Sequence, residues 1–535
     1  MRRKLLSILA LMLIGVGSAW ADGDGSAENP WTSGGCTVTL SGGVLTVSKA
    51  SGTGAMADYP SLFDSSIPWR TNRNSITSIV VEEGVTHIGN YTLAQCRYAT
   101  SISLPTTLTS IGDYAFQACN NASLTAIIIP DNVQTIGNYA FSSCTKATSI
   151  TLPTNLTSIG NNAFATCSSL TSVDIPDKVM IIGEYAFNRC SNLETATVGN
   201  SVTTIGTNAF ASCTKLESIN IPASVMTIGA SAFEGCNALT SFDVDANNNF
   251  YASEGGVLFN KDKTILIQYP ASKSGSTYTI PASVTTINSY AFYYSTGLTE
   301  VTIPASVTAI GSYAFRYCSN LGTVTLLSNP YITGDAFTGI KSGATIAMNL
   351  TANAAGGAYW LTFYNQNLYF QADENTQIFK AALSDDKLTL TELTADKKVN
   401  AAKAVILKST ASTITMTLVT SNSSNDFNGN SLKGVATAVG KTSDGTTYVL
   451  NNGTQGVGFY RLATGKTLGV GKAYLTYDGA LAPEFLGFGN ETTGIDATLV
   501  NSEKVNSVVY DLQGRRVAQP TKGLYIVNGK KVVIK

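Results

Sequence analysis

Few residues of this sequence have side chains suited to catalysis or metal binding. The 535 residues include one histidine, His87, and 35 acidic against 34 basic side chains. A single imidazole excludes most zinc sites and any catalytic pair of histidines. The formal net charge of −1 gives no general attraction to nucleic acid. Because the sequence also lacks a phosphate-binding loop and a Cys-x-x-Cys motif, we expect no enzymatic activity.

One segment has oxygen ligands at the spacing of a calcium-binding loop. Loop positions 1, 3, 5 and 12 are occupied by Asp243, Asp245, Asn247 and Glu254. Position 6, which is glycine in such loops, is Asn248, and no flanking helices are predicted. The sequence therefore predicts no metal and no cofactor, and these four residues are the candidate that a calcium titration would test.

Eight of the nine cysteines share one sequence environment, three residues after a phenylalanine or the residue equivalent to it. These eight are Cys96, Cys119, Cys144, Cys167, Cys190, Cys213, Cys236 and Cys318. In stacked repeats, equivalent Cβ atoms lie about 4.8 Å apart, which is beyond the usual distance for a disulfide. We predict a column of small buried thiols, with structural disulfides as the alternative.

The elements that position these residues form a repeat with a period of mostly 23 residues. Ile-Gly pairs recur with glycine at 89, 112, 137, 160, 183, 206, 229 and 311. In the unit from 216 to 236, Leu216, Ile219 and Ile221 form a strand with inward side chains. Gly229 permits a tight turn, which would use a positive φ. Because no unit buries its apolar residues alone, the period predicts a leucine-rich solenoid of about eleven coils.

The outward positions of the predicted strands are mostly serine, threonine and acidic residues, without lysine or arginine. The candidate binding positions on this face are Thr148, Thr151, Thr171, Asp174, Glu217, Asn220, Thr240, Thr299, Glu300 and Thr302. Such a face can bind a long partner through many hydrogen bonds. The alternative is that threonine serves there only as a soluble strand former.

Tyrosines recur two residues after the repeat glycine or its equivalent. They are Tyr91, Tyr114, Tyr139, Tyr185, Tyr290 and Tyr313. Their rings either form an exposed binding ridge or cover the edge of the core, and large aromatic residues more often serve packing. We retain both interpretations.

His87 lies one residue before the isoleucine of the first Ile-Gly pair. The equivalent positions in other repeats hold Ser110, Thr135, Ser158, Thr204, Thr227 and Ala309. A position that accepts such different residues is expected to be an exposed part of the coil. We therefore predict that His87 is a surface variant, although histidine can titrate near neutral pH.

The N-terminus of the chain indicates export. Met1 is followed by three basic residues and an apolar run to Val16, and Ala19-Trp20-Ala21 has the small-x-small pattern of a cleavage site. This order predicts a secretory signal peptide over residues 1–21. The alternative, a membrane anchor, is disfavoured because a span needs about 20 apolar residues. No later apolar run is long enough, so no membrane-spanning segment is expected in the mature chain.

The unit pattern Leu-x-x-Ile-x-Ile-Pro-x-x-Val-x-x-Ile-Gly-x-x-Ala-Phe-x-x-Cys resembles the BspA-like (Treponema-type) leucine-rich repeats of surface proteins. Residues 34–69 resemble the β-rich cap of that family, and residues 256–270 resemble a hairpin often found between its repeats. The likeness covers roughly residues 30–345. It implies a bacterial cell-surface protein that adheres to host extracellular matrix and to other bacteria.

Beyond the repeats, residues 346–488 contain β-branched and alternating segments that predict an antiparallel β domain. The segment 508–535 resembles the end of the type IX secretion sorting domains of Bacteroidetes, with a terminal β-hairpin as the alternative. The likeness implies that the chain crosses the outer membrane and is then displayed or released.

The predicted fold class is mainly β. It comprises a right-handed leucine-rich repeat solenoid with an N-terminal β cap, a β-sandwich-like domain and a short C-terminal β segment. The predicted parts are a signal peptide (1–21), a cap (22–75), a solenoid (76–345) with a hairpin insertion near 245–275, a β domain (346–488), and a linker with a sorting-like segment (489–535).

The predicted function is that of an exported, cell-surface or secreted, outer-membrane-associated binding protein without enzymatic activity. The expected partners are a host extracellular-matrix protein, a glycan or a cell-surface protein, and the chain is expected to be a monomer. In the alternative, the solenoid is a structural spacer that displays the 346–488 domain as the recognition module. An enzyme within that domain is disfavoured because it has no histidine and no cysteine.

Overall fold

The computed structural model describes most of the chain, which divides into two compact units. The described residues are 23–355, 357–384, 387–437, 440–453, 456–477, 485–487, 509–510, 516–517, 523–527 and 530–534. The predicted signal peptide and the predicted linker after residue 488 lie outside them. The first unit comprises the described residues of Met1–Ser274 with Phe292–Gly297, and the second those of Gly275–Ala291 with Leu298–Lys535.

The first unit begins with a small β sheet that covers the end of the repeat stack. Its strands are Trp31–Ser33, Cys36–Ser41 and Val44–Lys49, which pair in antiparallel order. Val44–Lys49 then pairs in parallel with Ser78–Val81, the strand of the first coil. Arg70–Ser75 forms a 3-10 helix, the one helix in the part of the chain that the structure describes. The open end of the stack is therefore sealed by backbone hydrogen bonds as well as by apolar packing.

The coils of the first unit contribute two sets of short strands, and the paired strands within each set run in parallel. The first set comprises Ser78–Val81, Ile102–Ser103, Ala126–Ile128, Ser149–Thr151, Ser172–Asp174, Thr195–Thr197, Ser218–Ile221 and Ser241–Val244. The second set comprises His87–Ile88, Ser110–Ile111, Thr135–Ile136, Ser158–Ile159, Ile181–Ile182, Thr204–Ile205 and Thr227–Ile228. Paired residues are mostly 23 positions apart, as in Ser149 opposite Ser172. The sequence period is thus the register of the sheets.

The interior of the first unit is a stack of equivalent side chains. Phe116, Phe141, Phe164, Phe187, Phe210 and Phe233 lie in one buried column. Their ring centroids are 5.2 to 5.9 Å apart along the column. Each phenylalanine is covered by its equivalents in the coils before and after it, so burial requires neighbouring coils.

The glycine of the Ile-Gly pair does not serve the purpose that the sequence predicted. Gly183 does not adopt a positive φ, and a Cβ atom built there would lie 2.6 Å from the carbonyl carbon of Gly160. Glycine is present because the backbones of successive coils approach too closely for any side chain. The left-handed residues are instead Tyr114 and Ala118, both with φ of 57°, and their equivalents. This conformation lets their N–H groups donate to Asn138 and Ser142 of the next coil, at 2.8 Å each.

An antiparallel insertion follows the last coil of the first unit. Its strands are Tyr251–Glu254, Val257–Asn260 and Ile265–Gln268. Asn248 is fully buried at its start and donates to the carbonyls of Pro222 and Val225. One buried amide therefore ties the insertion to the preceding coil.

The second unit begins with further coils of the same kind. Their strands are Thr277–Thr279, Glu300–Ile303 and Thr323–Leu326 in the first set, and Thr286–Ile287, Ala309–Ile310 and Tyr331–Ile332 in the second. Thr345–Thr351 pairs in parallel with Thr323–Leu326 and in antiparallel order with Thr413–Val419. The sheet of the coils thus continues into the β domain, and the predicted boundary between residues 345 and 346 falls inside a strand.

The β domain is built from antiparallel sheets. Its other strands are Asn353–Ala355, Ala358–Phe363, Tyr369–Ala372, Thr376–Ser384, Lys387–Glu392, Lys398–Val399, Val405–Ser409, Lys433–Gly434, Lys441–Thr442, Thr447–Gly453, Gly456–Arg461, Thr467–Leu468, Ala473–Thr476 and Phe485–Gly487. Four short strands end the chain: Val509–Tyr510, Arg516–Val517, Gly523–Val527 and Lys530–Ile534. They pair in antiparallel order.

The structure confirms the predicted fold class, a mainly β chain built on a leucine-rich repeat solenoid. The solenoid has about 12 turns, compared with the eleven expected from the sequence. Within the described ranges, no helix has the length and hydrophobicity needed to cross a membrane.

Replacing Gly183 by alanine should destabilise the stack, because the added methyl group would lie 2.6 Å from Gly160 and 2.7 Å from the backbone nitrogen of Asn161. We expect a loss of about 1–3 kcal/mol in the free energy of unfolding, measured by urea denaturation. Gly469→Ala is the matched control, because a Cβ atom there has no heavy atom within 4 Å and φ is not positive. Equal effects of the two substitutions would contradict the close-approach explanation.

Candidate functional site

The outer face of the first strand set carries most of the predicted binding residues. Thr148, Thr151, Thr171, Asp174 and Glu217 are all exposed there, as is Thr240. In the three-residue strands of this set the middle residue is buried, as with Ile150 and Val173. Period-two alternation turns Thr151 and Asp174 outward, whereas Thr148, Thr171, Glu217 and Thr240 each directly precede a strand of this set.

The threonine hydroxyl groups of this face donate to the neighbouring coil. Thr148 Oγ1 donates to the carbonyl of Thr125 at 3.0 Å, and Thr171 Oγ1 to that of Thr148 at 3.2 Å. Thr240 Oγ1 donates to Glu217 in the same way, at 2.9 Å. Because each hydroxyl has one hydrogen and two lone pairs, the oxygen atoms remain available to solvent as acceptors. These three threonines therefore offer a partner hydrogen-bond acceptors, because their hydroxyl hydrogens are already used.

Acidic side chains add negative charge to the same face. Asp174, Glu194, Glu217 and Asp243 are exposed on four successive coils. One lysine lies nearby, with Lys215 Nζ at 3.8 Å from Glu194. We call these four carboxylates, together with Thr148, Thr171 and Thr240, the acidic face.

Asn220 is not part of the acidic face, although the sequence placed it there. Its Oδ1 accepts the N–H of Val198 at 2.8 Å, and its Nδ2 donates to the carbonyl of Val198 at 3.0 Å. The amide thus bridges two coils and is occupied on both sides. The outward position of Asn220 in the sequence predicts exposure, and no residue pattern indicates that its amide bonds to the backbone of the neighbouring coil.

The predicted positions in the second unit form a smaller group of the same type. Thr299 and Glu300 are exposed, whereas Thr302 is half-buried. Thr299 Oγ1 donates to the carbonyl of Ser276 at 3.1 Å. The hydroxyl group again donates to the preceding coil.

The tyrosines form a ladder at the left-handed turns that follow strands of the second set, whereas the acidic face lies along the first set. Tyr91, Tyr114 and Tyr139 stack with ring centroids 4.5 Å apart and nearly parallel planes. Tyr290 and Tyr313 of the second unit lie 5.3 Å apart and are tilted. The faces of the stacked rings are covered by their neighbours, so they contribute mainly to packing.

Tyr185 differs from the other tyrosines of the ladder. It is 38% exposed, and the coils on either side have Asn162 and Asn208 at the equivalent position. Among the described residues it has no aromatic partner. The structure thus separates a stacked group from one isolated, accessible ring.

The four residues of the candidate calcium loop are not assembled as ligands. Asp245 Oδ1 accepts the N–H of Asn247 at 2.8 Å, which is a local turn. Glu254 forms an ion pair with Lys263. Asp243 lies in the strand Ser241–Val244, on the acidic face. In the part of the chain that the structure describes, no group of three or more His, Cys, Asp or Glu side chains is placed to hold a metal.

All nine cysteines are buried free thiols in the structure. Cys167 Sγ donates to the carbonyl of Phe141 at 3.3 Å, and Cys190 Sγ donates to that of Phe164 at the same distance. The cysteine column therefore supplies donors to the backbone of the immediately preceding coil, which an apolar residue of this size cannot do. Burial raises the pKa of Cys236 to about 12, so the thiolate is disfavoured.

His87 is more engaged than the sequence predicted. Its side chain is 24% exposed, and its ring nitrogens contact Ser110 Oγ at 2.7 Å and Asp58 Oδ1 at 3.3 Å. The 23-residue offset between His87 and Ser110 signals their contact, because it places them in adjacent coils. Asp58 comes from the cap, which has no period, so its position could not be predicted.

The repeated motif has a counterpart in known proteins. A family model for the BspA type leucine-rich repeat region matches residues 71–145, 118–240 and 269–389, which together make up more than half of the chain. The chain belongs to the BspA-type leucine-rich repeat family. The matched region of this BspA-type protein includes the tyrosine ladder and every residue of the acidic face except Asp243.

Several solved structures are similar to this BspA-type chain. A leucine-rich repeat protein from Bacteroides ovatus is 27% identical and covers 58% of this chain and 76% of its own, with a TM-score of 0.40. A leucine rich cell surface protein from Faecalibacterium prausnitzii is 23% identical, with 59% and 87% covered and a TM-score of 0.39. A leucine-rich repeat protein from Eubacterium ventriosum is 28% identical, with 59% and 77% covered and a TM-score of 0.33. No curated protein matches the chain.

A second ladder, not predicted from the sequence, follows the repeat glycine. Asn90 Oδ1 accepts the N–H of Asp113 at 2.6 Å, and Asp113 Oδ1 accepts that of Asn138 at the same distance. Asn138 and Asn161 continue the series into the next two coils. The recurrence of Asn and Asp directly after Gly was the available signal, since these side chains often bond nearby backbone.

Thiol titration tests the cysteine column. Because the nine thiols are buried and the pKa of Cys36 is raised by burial to about 11, the native protein should react very slowly with a disulfide reagent at neutral pH. After denaturation without a reductant, we expect close to nine reactive thiols. A result near one would show that the column is oxidised and would contradict the free-thiol prediction.

The substitution Tyr114→Asn tests the packing role of the tyrosine ladder. Asparagine is tolerated at left-handed positions, so the change mainly removes the ring that lies between Tyr91 and Tyr139. We expect a loss of about 1 kcal/mol in unfolding free energy. Tyr185→Asn is the matched control and should change stability little, because Tyr185 has no stacked neighbour. Equal losses for the two variants would rule out stacking as the cause.

Proposed function

We propose that this BspA-type protein is an exported, surface-displayed binding protein whose acidic face adheres to donor-rich, basic segments of a host extracellular-matrix or cell-surface protein. The observation that carries the proposal is the polarity of the face. The threonine hydroxyls donate their hydrogens to carbonyls of the neighbouring coil, so their oxygen lone pairs face outward as acceptors. The exposed carboxylates present acceptors as well. Complementarity therefore favours partners that present N–H donors and positive charge over neutral glycans.

The expected strength of binding follows from what the acidic face lacks. No large aromatic side chain lies among its outward predicted positions, and aromatic anchors usually dominate interface energy. Many exposed polar contacts, each weak, would act together along parallel rows with a spacing of about 4.8 Å. Such binding should depend on ionic strength, because exposed charges are screened by salt.

The surface location is part of the proposal. It is supported by the predicted signal peptide over 1–21 and by the likeness of segment 508–535 to type IX sorting domains. Origin from Bacteroidetes and passage through that secretion route remain predictions. Binding to extracellular matrix can be measured with purified protein and does not depend on them.

The alternative function, a spacer that displays the β domain, has one structural observation in its favour. Within the second unit, strand Thr345–Thr351 pairs both with a coil strand and with Thr413–Val419. Asn329 Nδ2 also donates to the carbonyls of Tyr364 and Gly471, at 2.9 and 3.0 Å. A recognition module fixed in this way would be presented without a flexible linker.

Charge-removing substitutions on the full chain test the acidic face. The triple variant Asp174→Asn, Glu217→Gln and Asp243→Asn preserves side-chain size while removing three negative charges. Binding to immobilised fibronectin, laminin and collagen would be measured by biolayer interferometry at low and physiological salt. We expect the variant to bind about tenfold more weakly than the wild type at low salt, where exposed charges act most strongly.

A charge-matched control separates a local site from overall charge. The variant Glu28→Gln, Glu184→Gln and Asp262→Asn removes three exposed acids outside the acidic face. It should bind like the wild type. If both triple variants retain wild-type binding, the acidic face is not the site, and the spacer function with recognition by the 346–488 domain becomes the better explanation.

A further inference from the structure

The contact between the cap and the first coils brings together a serine, a histidine and an aspartate. His87 Nδ1 lies 2.7 Å from Ser110 Oγ, and His87 Nε2 lies 3.3 Å from Asp58 Oδ1. All three residues belong to the first unit. The base thus has a nucleophile on one ring nitrogen and an orienting carboxylate on the other, both within hydrogen-bond reach, which is the arrangement that activates a serine.

The partners of the imidazole fix its tautomer. The Asp58 carboxylate can only accept a hydrogen bond, so His87 Nε2 must carry the proton in that contact. In the neutral ring Nδ1 then has a free lone pair, which accepts the hydrogen of Ser110 Oγ–H. The neutral ring of His87 is therefore held in the tautomer that can remove the proton of Ser110.

The backbone holds each of the three residues in place. His87 and Ser110 are paired residues of two adjacent parallel strands. The cap segment runs alongside, where Met56 N–H donates to the carbonyl of His87 at 3.1 Å. Asp58 Oδ1 also accepts the backbone N–H of Asn90 at 2.8 Å, which fixes the carboxylate. A site whose members stand on paired strands is pre-organised without a substrate.

The same ladder contains serines and threonines that lack this environment. Ser110 pairs with Thr135, and Thr135 pairs with Ser158, at equivalent positions of the next two coils. Neither neighbour supplies a base, because His87 is the only histidine of the chain. Ser158 is partly exposed, as is Ser110. The chain therefore carries an internal control that differs from Ser110 in lacking the imidazole.

We propose that Ser110 is a nucleophile, activated by His87 and Asp58, which cleaves small activated acyl esters. Ser110 Oγ attacks the carbonyl carbon while its proton passes to His87 Nδ1. The tetrahedral intermediate then expels the alcohol, which takes that proton as the ester C–O bond breaks. Water attacks the acyl-serine in turn, loses a proton to Nδ1, and releases the carboxylic acid as Ser110 Oγ recovers its proton.

The surroundings of Ser110 set the expected rate and selectivity. The N–H of Ser110 donates to the carbonyl of Thr86, and that of Gly112 donates to Ile88, so these donors are already used. An oxyanion donor commonly contributes about a hundredfold or more in rate, and the reaction should be correspondingly slow. Because the residues lie on the outer side of a sheet, small acyl groups should react with little side-chain selectivity.

The full chain can be tested with p-nitrophenyl acetate and with a fluorophosphonate probe. We expect ester hydrolysis above the buffer rate, reduced about tenfold or more in both Ser110→Ala and His87→Gln. Ser158→Ala is the control and should keep the wild-type rate. Peptide mass spectrometry should place the phosphonyl group on Ser110 and not on Ser158. Thermal melting of each variant identifies any loss of rate that comes from unfolding.

Several results would overturn the proposal. Equal labelling of Ser110 and Ser158, or labelling of neither, would show that His87 does not activate its neighbour. Full activity in Ser110→Ala together with loss in His87→Gln would show catalysis by a free imidazole instead. Asp58→Asn keeps the contact with Asn90 N–H but removes the charge, so an unchanged rate in that variant would exclude the three-residue arrangement. The binding proposal is independent of all these outcomes.

Discussion

Successive coils of this protein stack at the spacing of hydrogen-bonded strands, about 4.8 Å, and this distance constrains every residue of the repeat. Gly183 has no room for a side chain because the backbone of Gly160 lies against it. Tyr114 adopts a left-handed conformation so that its N–H reaches the next coil. Cys167 donates its thiol hydrogen to the carbonyl of Phe141 in the preceding coil. Many residues of the repeat motif therefore serve to allow or to complete backbone hydrogen bonds between coils at this separation.

The same spacing determines the chemistry of the surface. An exposed threonine at one coil has the carbonyl of the previous coil within reach of its hydroxyl hydrogen, as Thr171 has that of Thr148. The ladder of hydroxyls therefore turns its hydrogens inward and its lone pairs outward. In the sequence these threonines can act as donors or as acceptors, but in the structure their outward lone pairs act as acceptors. The exposed carboxylates of Asp174 and Glu217 add further acceptors.

The features that depart from the repeat lie where the stack meets other structure. Asp58, from the cap, reaches the first coil and contacts its only histidine. Asn329, in the second unit, donates two hydrogen bonds to the β domain. Regular coils have equivalent surroundings and equivalent surfaces. Unique arrangements of side chains arise where a non-repeating segment packs on a repeating one, because the translation along the stack no longer dictates the neighbours.

The sequence by itself determined the solenoid, its register and the identity of its core, since a residue 23 positions away must be the neighbour when each coil has the same length. It also identified the outward rows, because alternation in short strands sorts side chains by face. Three features were decided only by the tertiary structure: the close approach at Gly183, the bridging role of Asn220, and the contact of Asp58 with His87. Each depends on the distance between atoms of different coils or of the cap, and a one-dimensional period specifies which coils are neighbours but not how closely their atoms approach.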